Sequence, residues 1–348
     1  MKHRNKLDPS LSRQFAAMSF LSAILIVALH SLGIGSETPP IRWLYRFIHD
    51  GLCLTAIPWF FFASGYFVAG HIDEEGWWRR SVAKRVRTLL VPFWIWSAVC
   101  WLYYVSVAIM ISIMGYEFRG PNALELVSWL GFLRVVGLDW YDTMNTMWYM
   151  RTLFVLVCFS VLLIRLPKWG ACILFVVSCL FYVHPPINQG LAQLGNNLFS
   201  VRGLFYFSWG LLCRKNSFDF RKIPMWLVGC GGITLSVINI LDVEMGWGCR
   251  WFAVLQLPPL MLFVFKMCGK IKMPDKLVSL SFPVYVIHMM VVYFVTGVYA
   301  VLGCGGFENM TLIKGIVRFV FALGVSLLLG WLIKVKCPRV AAVVFGGR

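Results

Sequence analysis

Long apolar segments alternate along this 348-residue chain with short segments that carry charge, proline or glycine. A membrane-spanning helix needs about 20 mostly apolar residues, and ten segments approach or exceed that length. The first follows a basic start, as a signal peptide would, but its apolar stretch is too long and no small-residue cleavage site follows. The pattern predicts ten transmembrane helices, of which the fifth and sixth are short: 15–34, 51–69, 89–114, 147–165, 169–184, 198–213, 224–241, 251–268, 279–302 and 314–335.

The composition excludes an ordinary soluble protein. Hydrophobic residues make up 59% of the chain and charged residues 14%, whereas about 25% of the residues in a soluble domain are charged. The sequence shows no internal repeat and no soluble domain. We therefore expect an all-α polytopic membrane protein with a single domain at 1–348. It would consist of a tail at 1–14, a ten-helix bundle at 15–335 and a second tail at 336–348.

The distribution of basic residues predicts an orientation. The chain has 32 Lys and Arg against 15 Asp and Glu, a formal net charge of +17. If the N-terminus is cytoplasmic, most of the 32 fall on the inner side, as is typical of membrane proteins. An even number of spans then places both termini in the cytoplasm. Orientation thus accounts for most of the charge, which argues against a nucleic-acid partner and leaves membrane lipids as expected partners.

A few basic residues are not explained by orientation. Arg151, Arg202, Lys314 and Arg318 fall within or at the edges of predicted spans, and none of the 15 carboxylates lies within one. Charged groups inside the bilayer are costly and usually mark a site. Cations without an acidic partner at their own depth therefore indicate an anionic or carbonyl-bearing ligand.

The eleven cysteines are scattered, without a CxxC motif or a Cys/His cluster, so no metal site is predicted. Free cysteine packs as a small hydrophobe, and this is the role we expect for most of them. Cys249 and Cys304 both fall on the predicted outer side. A disulfide between these two is the alternative.

His30 lies in the outer half of the first predicted span. Imidazole is well suited to accept a proton from a hydroxyl near neutral pH, so His30 is a candidate general base. The alternative is a histidine held by a backbone carbonyl.

Trp148 and Arg151 open the fourth span and Arg202 opens the sixth, at a similar predicted depth. An arginine beside the base could stabilise an oxyanion, whereas snorkelling to the outer headgroups is the alternative.

Two further spans combine polar side chains with features of helix packing. In the second span, Gly65 would let a neighbouring helix or an extended ligand approach the backbone, and Ser64 and Tyr66 supply hydroxyl groups. In the inner half of the ninth span, Tyr285 and His288 lie three residues apart on one face. The alternatives are small-residue packing for the first group and a hydrogen-bonded pair that holds the bundle for the second.

A predicted inner loop at the start of residues 77–93 carries a cluster of cations beside Trp77 and Trp78. Arginine binds phosphate through paired hydrogen bonds, and tryptophan can stack on a purine. The loop therefore favours a phosphorylated ligand, while a positive-inside anchor with an aromatic belt is the alternative. The cations are Arg79, Arg80, Lys84, Arg85 and Arg87.

Taken in order, these stretches resemble the acyltransferase family 3 of membrane proteins, which move acetyl or related acyl groups onto hydroxyls of glycans. Each motif is short, but together they run the length of the chain. The motifs are His30-Ser31; PxFFxxSGY from Pro58 to Tyr66; KRxRxLxxP from Lys84 to Pro92; WYxR from Trp148 to Arg151; a basic exit from the sixth span at Gly210, Arg214 and Lys215; and SFxxYxxH from Ser281 to His288.

The resemblance implies an O-acetyltransferase of the bacterial inner membrane. The cosubstrate would be acetyl-coenzyme A or another acyl-coenzyme A, on the cytoplasmic side and with no bound cofactor. The acceptor would be a saccharide, often lipid-linked or being exported. In this scheme His30 deprotonates the acceptor hydroxyl and Arg151 assists electrostatically. The basic loop meets the coenzyme phosphates. The remaining expected site residues are Ser64, Gly65 and Tyr66 along the acyl route, and Trp148, Arg202, Tyr285 and His288 in support.

We prefer direct attack of the sugar oxygen on the thioester over an acyl-enzyme. An acyl-enzyme would form on Ser31 or Ser64, and neither serine has a base and an orienting acid within its own motif.

One position departs from the family pattern. Members commonly carry Arg or Lys eleven residues before the first-span histidine, where this chain has Ser19, while Arg13 matches an earlier basic position. Arg151 or Arg202 is expected to substitute. A catalytically inactive relative is therefore one alternative function. A transporter or flippase for an anionic or lipid-linked solute is another, although the repeat symmetry usual in transporters is not found.

Overall fold

The computed structural model describes residues 8–33, 38–72, 74–113, 128, 147–183, 200–248, 251–303 and 311–347. Within these ranges the chain is helical and has no strand. The helices are α1 (Pro9–Ser31), α2 (Pro39–Arg46), α3 (Ala56–Ala69), α4 (Trp77–Arg85), α5 (Val91–Ile113), α6 (Trp148–Arg165), α7 (Lys168–Val183), α8 (Val201–Lys215), α9 (Met225–Met245), α10 (Trp251–Leu255), α11 (Leu257–Cys268), α12 (Asp275–Val278), α13 (Ser281–Val301), α14 (Leu312–Lys336) and α15 (Pro338–Val344).

Each of the ten apolar segments contains a helix. In the described part of the chain, eight helical runs are long and apolar enough to cross a membrane, which confirms the predicted all-α polytopic class. The fifth and sixth segments form α7 and α8, of 16 and 15 residues, and these are shorter than the other eight. The count of ten spans and the cytoplasmic position of both termini stay predictions.

Two of the long helical runs contain a π turn just before a proline. α2 continues into α3 through a π turn at Phe47–Leu52 and a 3-10 turn at Cys53–Thr55, ahead of Pro58. α4 continues into α5 through a π turn at Val86–Leu90, ahead of Pro92. Proline has no N–H to donate, and its ring crowds the carbonyl four residues earlier. The wider turn at Val86–Leu90 contains Thr88, four residues before Pro92, and accommodates both defects there. Ahead of Pro58 the corresponding residue, Leu54, lies in the 3-10 turn.

The basic stretch before Pro92 is helical, and the prediction of a loop is wrong. Gly76, with φ at 64°, precedes α4, and no proline or glycine follows until Pro92. Hydropathy detects spans by their apolar residues, so it misses a polar helix that continues into one. The cations are therefore distributed around α4: Arg85 is half-buried, whereas Arg79, Arg80, Lys84 and Arg87 are exposed.

α3 and α8 make the most extensive contact among the described helices. A side-chain carbon at Gly65 would collide with the carbonyl oxygen of Phe207, and one at Gly210 would collide with the carbonyl oxygen of Phe62. The two backbones thus touch at a pair of glycines, as in small-residue packing of membrane helices. Of the two partners expected at Gly65, a helix or a ligand, the structure shows the helix.

α9 extends beyond its predicted end at residue 241. Asp242 and Glu244 therefore lie within this helix, and the expectation that no carboxylate lies within a span is wrong here. Glu244 pairs with Arg42 at 2.7 Å and with Arg46 at 3.1 Å. Two cations of the predicted outer loops, Arg42 and Arg46, are thus paired with a carboxylate near the end of α9.

Cysteines play no covalent role in the described part of the chain. Nine of them are described, and all nine are free. Cys249 and Cys304, which could form the alternative disulfide, lie outside the described residues.

Candidate active site

His30 and His288 lie side by side, with ring centroids 5.6 Å apart. The prediction placed them in opposite halves of the membrane, and this separation is wrong. It assumed that all helices begin at one level. Cys268, the last residue of α11, instead lies beside Met18 of α1, with sulfur atoms 3.9 Å apart. The first turns of α1 therefore extend beyond the end of α11. His30 lies closer to the level of that end than a count from the start of α1 suggests.

Side chains from other helices bind the last turn of α1, which carries His30. The last four carbonyl groups of a helix have no partner within it. His49 Nε2 lies 3.1 Å from the Leu29 carbonyl oxygen, and Arg318 Nε and Nη2 donate to the Ser31 carbonyl oxygen at 2.9 and 2.6 Å. The backbone on both sides of His30 is therefore fixed, which restricts where its ring can lie.

Arg318, on α14, is a site residue that the sequence analysis did not assign. Its side chain is 2% exposed, and its Nη1 donates to Thr296 Oγ1 at 2.9 Å. A ligand carbonyl was expected beside such a cation, but the carbonyl belongs to the chain itself. Arg318 and His49 both bind the turn that carries His30. No local motif marks Arg318, because Thr296 is 22 positions and Ser31 is 287 positions away.

His49 is the second residue that sequence reasoning missed. It lies in the π turn before α3, just ahead of the predicted start of the second span, and was therefore assigned to a loop. Its Nδ1 lies 2.7 Å from Asp50 Oδ1, and its ring stacks on Tyr45 at 4.9 Å. The adjacent His-Asp pair was the one signal in the sequence that could have identified it.

His288 is fully buried and its tautomer follows from its partners. Its Nδ1 lies 2.8 Å from the Tyr285 carbonyl oxygen and 3.2 Å from that of Val284. A carbonyl oxygen can only accept a hydrogen bond, so Nδ1 carries the proton, and Nε2 of the neutral ring holds a lone pair. This Nε2 has no hydrogen-bond partner among the described residues. An unused basic nitrogen is therefore present beside His30.

A row of aromatic rings connects the histidine pair with α4. Tyr285 lies 6.3 Å from His288, and Tyr149 lies 5.9 Å from Tyr285. α4, which carries Arg85, packs against α6, which carries Tyr149. Phe60 of α3 packs against both tyrosines, at 5.6 and 6.4 Å. Residues from separate sequence motifs thus form one row of aromatic rings, which leads from the helix in contact with α4 to the histidines.

The tryptophans of α4 anchor it to the bundle. Trp78 Nε1 donates to the Cys158 carbonyl oxygen at 2.9 Å, and Trp77 packs against the hydrophobic core. These contacts correspond to the anchoring alternative for the two rings. Among the exposed cations, Arg80 is paired with Glu74 at 3.1 Å. Arg80, Lys84 and Arg87 line a cleft with a volume of about 470 Å³.

A family model described as an acyltransferase domain matches residues 17–335, nearly the whole chain. The chain belongs to acyltransferase family 3. No curated protein and no solved structure matches it. In this acyltransferase the histidine pair, the aromatic row and α4 all lie within the matched region, whereas α15 lies after it.

Ser19 of the acyltransferase, which replaces the usual basic residue, is part of the helix packing. Its hydroxyl accepts a hydrogen bond from Trp59 Nε1 at 3.2 Å and donates to the Phe15 carbonyl oxygen at 2.9 Å. Trp59 is fully buried. The Ser19 hydroxyl thus joins α1 to α3 at the position where a cation was expected.

The hydroxyl-bearing residues of α3 lie in a packed environment. Ser64 is 8% exposed. Tyr66 accepts a hydrogen bond from Arg214 Nη1 at 3.4 Å, and the guanidinium lies over its ring at 5.3 Å. Tyr66 is thus bound to the basic exit of α8, which joins two of the family motifs. A contact of Ser64 and Tyr66 with the acyl donor stays a prediction.

The predicted layer of His30, Arg151 and Arg202 stays a prediction. The Arg202 guanidinium lies over the Tyr182 ring at 5.4 Å, and Arg151 is half-buried on α6. Trp148, at the start of α6, packs against Phe61 at 6.1 Å. Arg318 is the arginine that binds the turn containing His30, and a catalytic role for Arg151 stays a prediction.

Proposed function

We propose that this acyltransferase moves an acyl group, most simply acetyl, from acyl-coenzyme A to a hydroxyl of a cell-envelope or exported saccharide. We place it in the inner membrane of a bacterium, with both termini in the cytoplasm. The observation that carries the proposal is the aromatic row. Its rings, Tyr149 and Tyr285, lead from α6, against which the cationic helix α4 packs, to the histidine pair.

The cationic end of the row suits the donor. Coenzyme A carries several phosphate groups, and exposed Arg and Lys bind phosphate through charge-assisted hydrogen bonds. α4 presents such cations at the end of the bundle predicted to face the cytoplasm. Phe60, Tyr149 and Tyr285 provide apolar surroundings suited to the pantetheine and acyl group. The thioester would then reach the level of His30.

The histidine end of the row suits the chemistry. His30 takes the proton of the acceptor hydroxyl as the oxygen forms its bond to the thioester carbonyl carbon. The carbon–sulfur bond then breaks, and the departing thiolate receives the proton, so His30 is regenerated. Arg318 and His49 hold the turn that carries His30, and correct placement of a base accounts for a large part of its effect. His288 Nε2 is a second nitrogen that can accept a proton, on a ring whose centroid lies 5.6 Å from that of His30.

One observation favours a second candidate function. Because Ser19 packs against Trp59 where family members carry a cation, a step that depends on that cation would be lost. The chain would then bind acyl-coenzyme A without transferring the acyl group, as a sensor or scaffold.

The test supplies purified protein in proteoliposomes with labelled acetyl-coenzyme A and envelope saccharide, and follows the label into the saccharide. We expect transfer. We also expect that coenzyme A raises the melting temperature and that Arg85→Ala reduces this shift. A thermal shift without transfer would support the inactive relative. Absence of both, together with coenzyme-independent flux of solute, would support a transporter.

A further inference from the structure

The C-terminal segment after α14 is docked onto the basic helical run. The ring of Phe345 is fully buried and stacks on Trp96 of α5 at 6.1 Å with an interplanar angle of 18°. Trp96 Nε1 donates to the Val344 carbonyl oxygen at 2.9 Å. The sequence predicted only a tail here. An aromatic anchor and a hydrogen bond instead hold α15 in one place.

Beyond the anchor, the chain touches the π turn that follows α4. Gly346 has φ at 65°, and a side-chain carbon on it would lie 2.7 Å from the backbone of Thr88. An L side chain is strained at this φ, and here it would also collide with backbone atoms that cannot move aside. Glycine is therefore required at 346 for the segment to reach the turn.

The docked segment and α4 face each other across the cleft of about 470 Å³. Arg80, Lys84 and Arg87 are four and three positions apart, so they share one face of a helix. The opposite wall consists of Ala342, Gly346 and Gly347. Exposed cations on one wall and small residues on the other leave room for a compact anion between them.

We propose that this C-terminal segment forms one wall of the site that holds the phosphates of acyl-coenzyme A. The proposal rests on the function proposed above, since that function supplies the donor. The segment lies outside the region matched by the family model. The phosphate of an anionic lipid headgroup has the same chemistry, and the experiment separates the two sources.

The experiment measures the dissociation constants of coenzyme A and of adenosine 3′,5′-bisphosphate for the purified full-length protein in detergent without added lipid. Gly346→Ala displaces the wall, Phe345→Ala removes its anchor and Arg87→Gln removes a cation of the cleft. Each is expected to weaken binding of both ligands about tenfold, which corresponds to about 1.4 kcal/mol. Phe345→Ala keeps the test valid if Gly346→Ala does not fold.

Two controls match these changes. Gly248→Ala places a side chain at a similar positive φ, 74°, with nothing within 4 Å. Lys270→Gln removes an exposed cation away from the cleft. Both should bind the two ligands as the wild type does.

The outcomes separate this proposal from the proposed function. Unchanged binding by Gly346→Ala and Phe345→Ala in a protein that transfers acetyl would overturn the wall and leave the function intact. Weakened binding in a protein that transfers nothing would support the wall and contradict the function. If the variants bind coenzyme A normally but retain less phosphatidylglycerol when vesicles of that lipid are supplied, the cleft holds a lipid headgroup and the donor assignment is wrong.

Discussion

The end of α1 and the face of α4 use cationic side chains in opposite ways. Arg318 is 2% exposed, and its guanidinium donates hydrogen bonds to oxygens of the chain itself. Arg80, Lys84 and Arg87 are exposed along an open cleft. A buried polar group that loses its partner costs far more than an exposed one. The first region therefore fixes the backbone around His30, whereas the second leaves its cations exposed to solvent.

The largest effect is expected at Arg318. Arg318→Ala leaves the Ser31 carbonyl without its partner and releases the turn that carries His30. We expect the transfer rate at saturating acetyl-coenzyme A to fall about 100-fold, the loss that a small misplacement of a catalytic group can produce. Arg318→Lys keeps the charge but lacks the paired guanidinium donors. Its transfer rate should lie between those of the wild type and Arg318→Ala. A wild-type rate in Arg318→Ala would show that His30 does not depend on this contact.

The same contrast between tight and open positions applies to the backbone. Gly65→Ala places a carbon against the Phe207 carbonyl oxygen, whereas Gly231→Ala meets nothing within 4 Å. Overpacking costs about 1–3 kcal/mol, so Gly65→Ala should lower the melting temperature in detergent and Gly231→Ala should not. Equal melting temperatures would mean that α3 and α8 can separate without cost.

Salt should weaken the binding of coenzyme A at the exposed cations of α4. It should have little effect on the transfer step at His30. Exposed charges are screened within about 10 Å at 0.1 M ionic strength and within about 3 Å at 1 M. We expect the dissociation constant of coenzyme A to rise severalfold over this range. The transfer rate at saturating donor should change little, since the contacts around His30 are shielded from solvent. A rate that falls with salt at saturating donor would place the sensitive charges at the histidines instead.

The smallest effect is expected at an exposed ion cluster near the start of α1. Arg221 donates to Asp219 at 2.9 Å and to Asp8 at 3.1 Å, and the first of these hydrogen bonds lowers the pKa of Asp219 below its ordinary value. A lowered folded-state pKa adds stability above the unfolded pKa, and this stability is lost as the pH falls through the folded pKa. For so exposed a pair the contribution is at most about 1 kcal/mol.

Asp219→Asn should therefore melt slightly below the wild type at pH 7, and the difference should shrink as the pH falls below the ordinary Asp pKa of about 3.9. A difference that grows as the pH falls would contradict the assigned direction of the shift.

The sequence predicted the helices better than it predicted which helices meet. In the described part of the chain each apolar segment of spanning length contains a helix, because hydropathy measures burial in lipid directly. It did not detect α4, where the helix is polar. It also contains no information on the relative levels of helices, so the contact of His30 with His288 could not be predicted. Arg318 was missed because its partner is a backbone carbonyl, which any residue could provide.

The central claim is that His30 takes the proton of the acceptor hydroxyl. The most direct test compares wild type and His30→Ala in transfer of labelled acetyl from saturating acetyl-coenzyme A to envelope saccharide. A melting-temperature shift by coenzyme A serves as the control for donor binding. We predict that the shift is retained and that transfer falls at least about 100-fold, as expected on removal of a general base. Equal transfer by the two proteins would contradict the account.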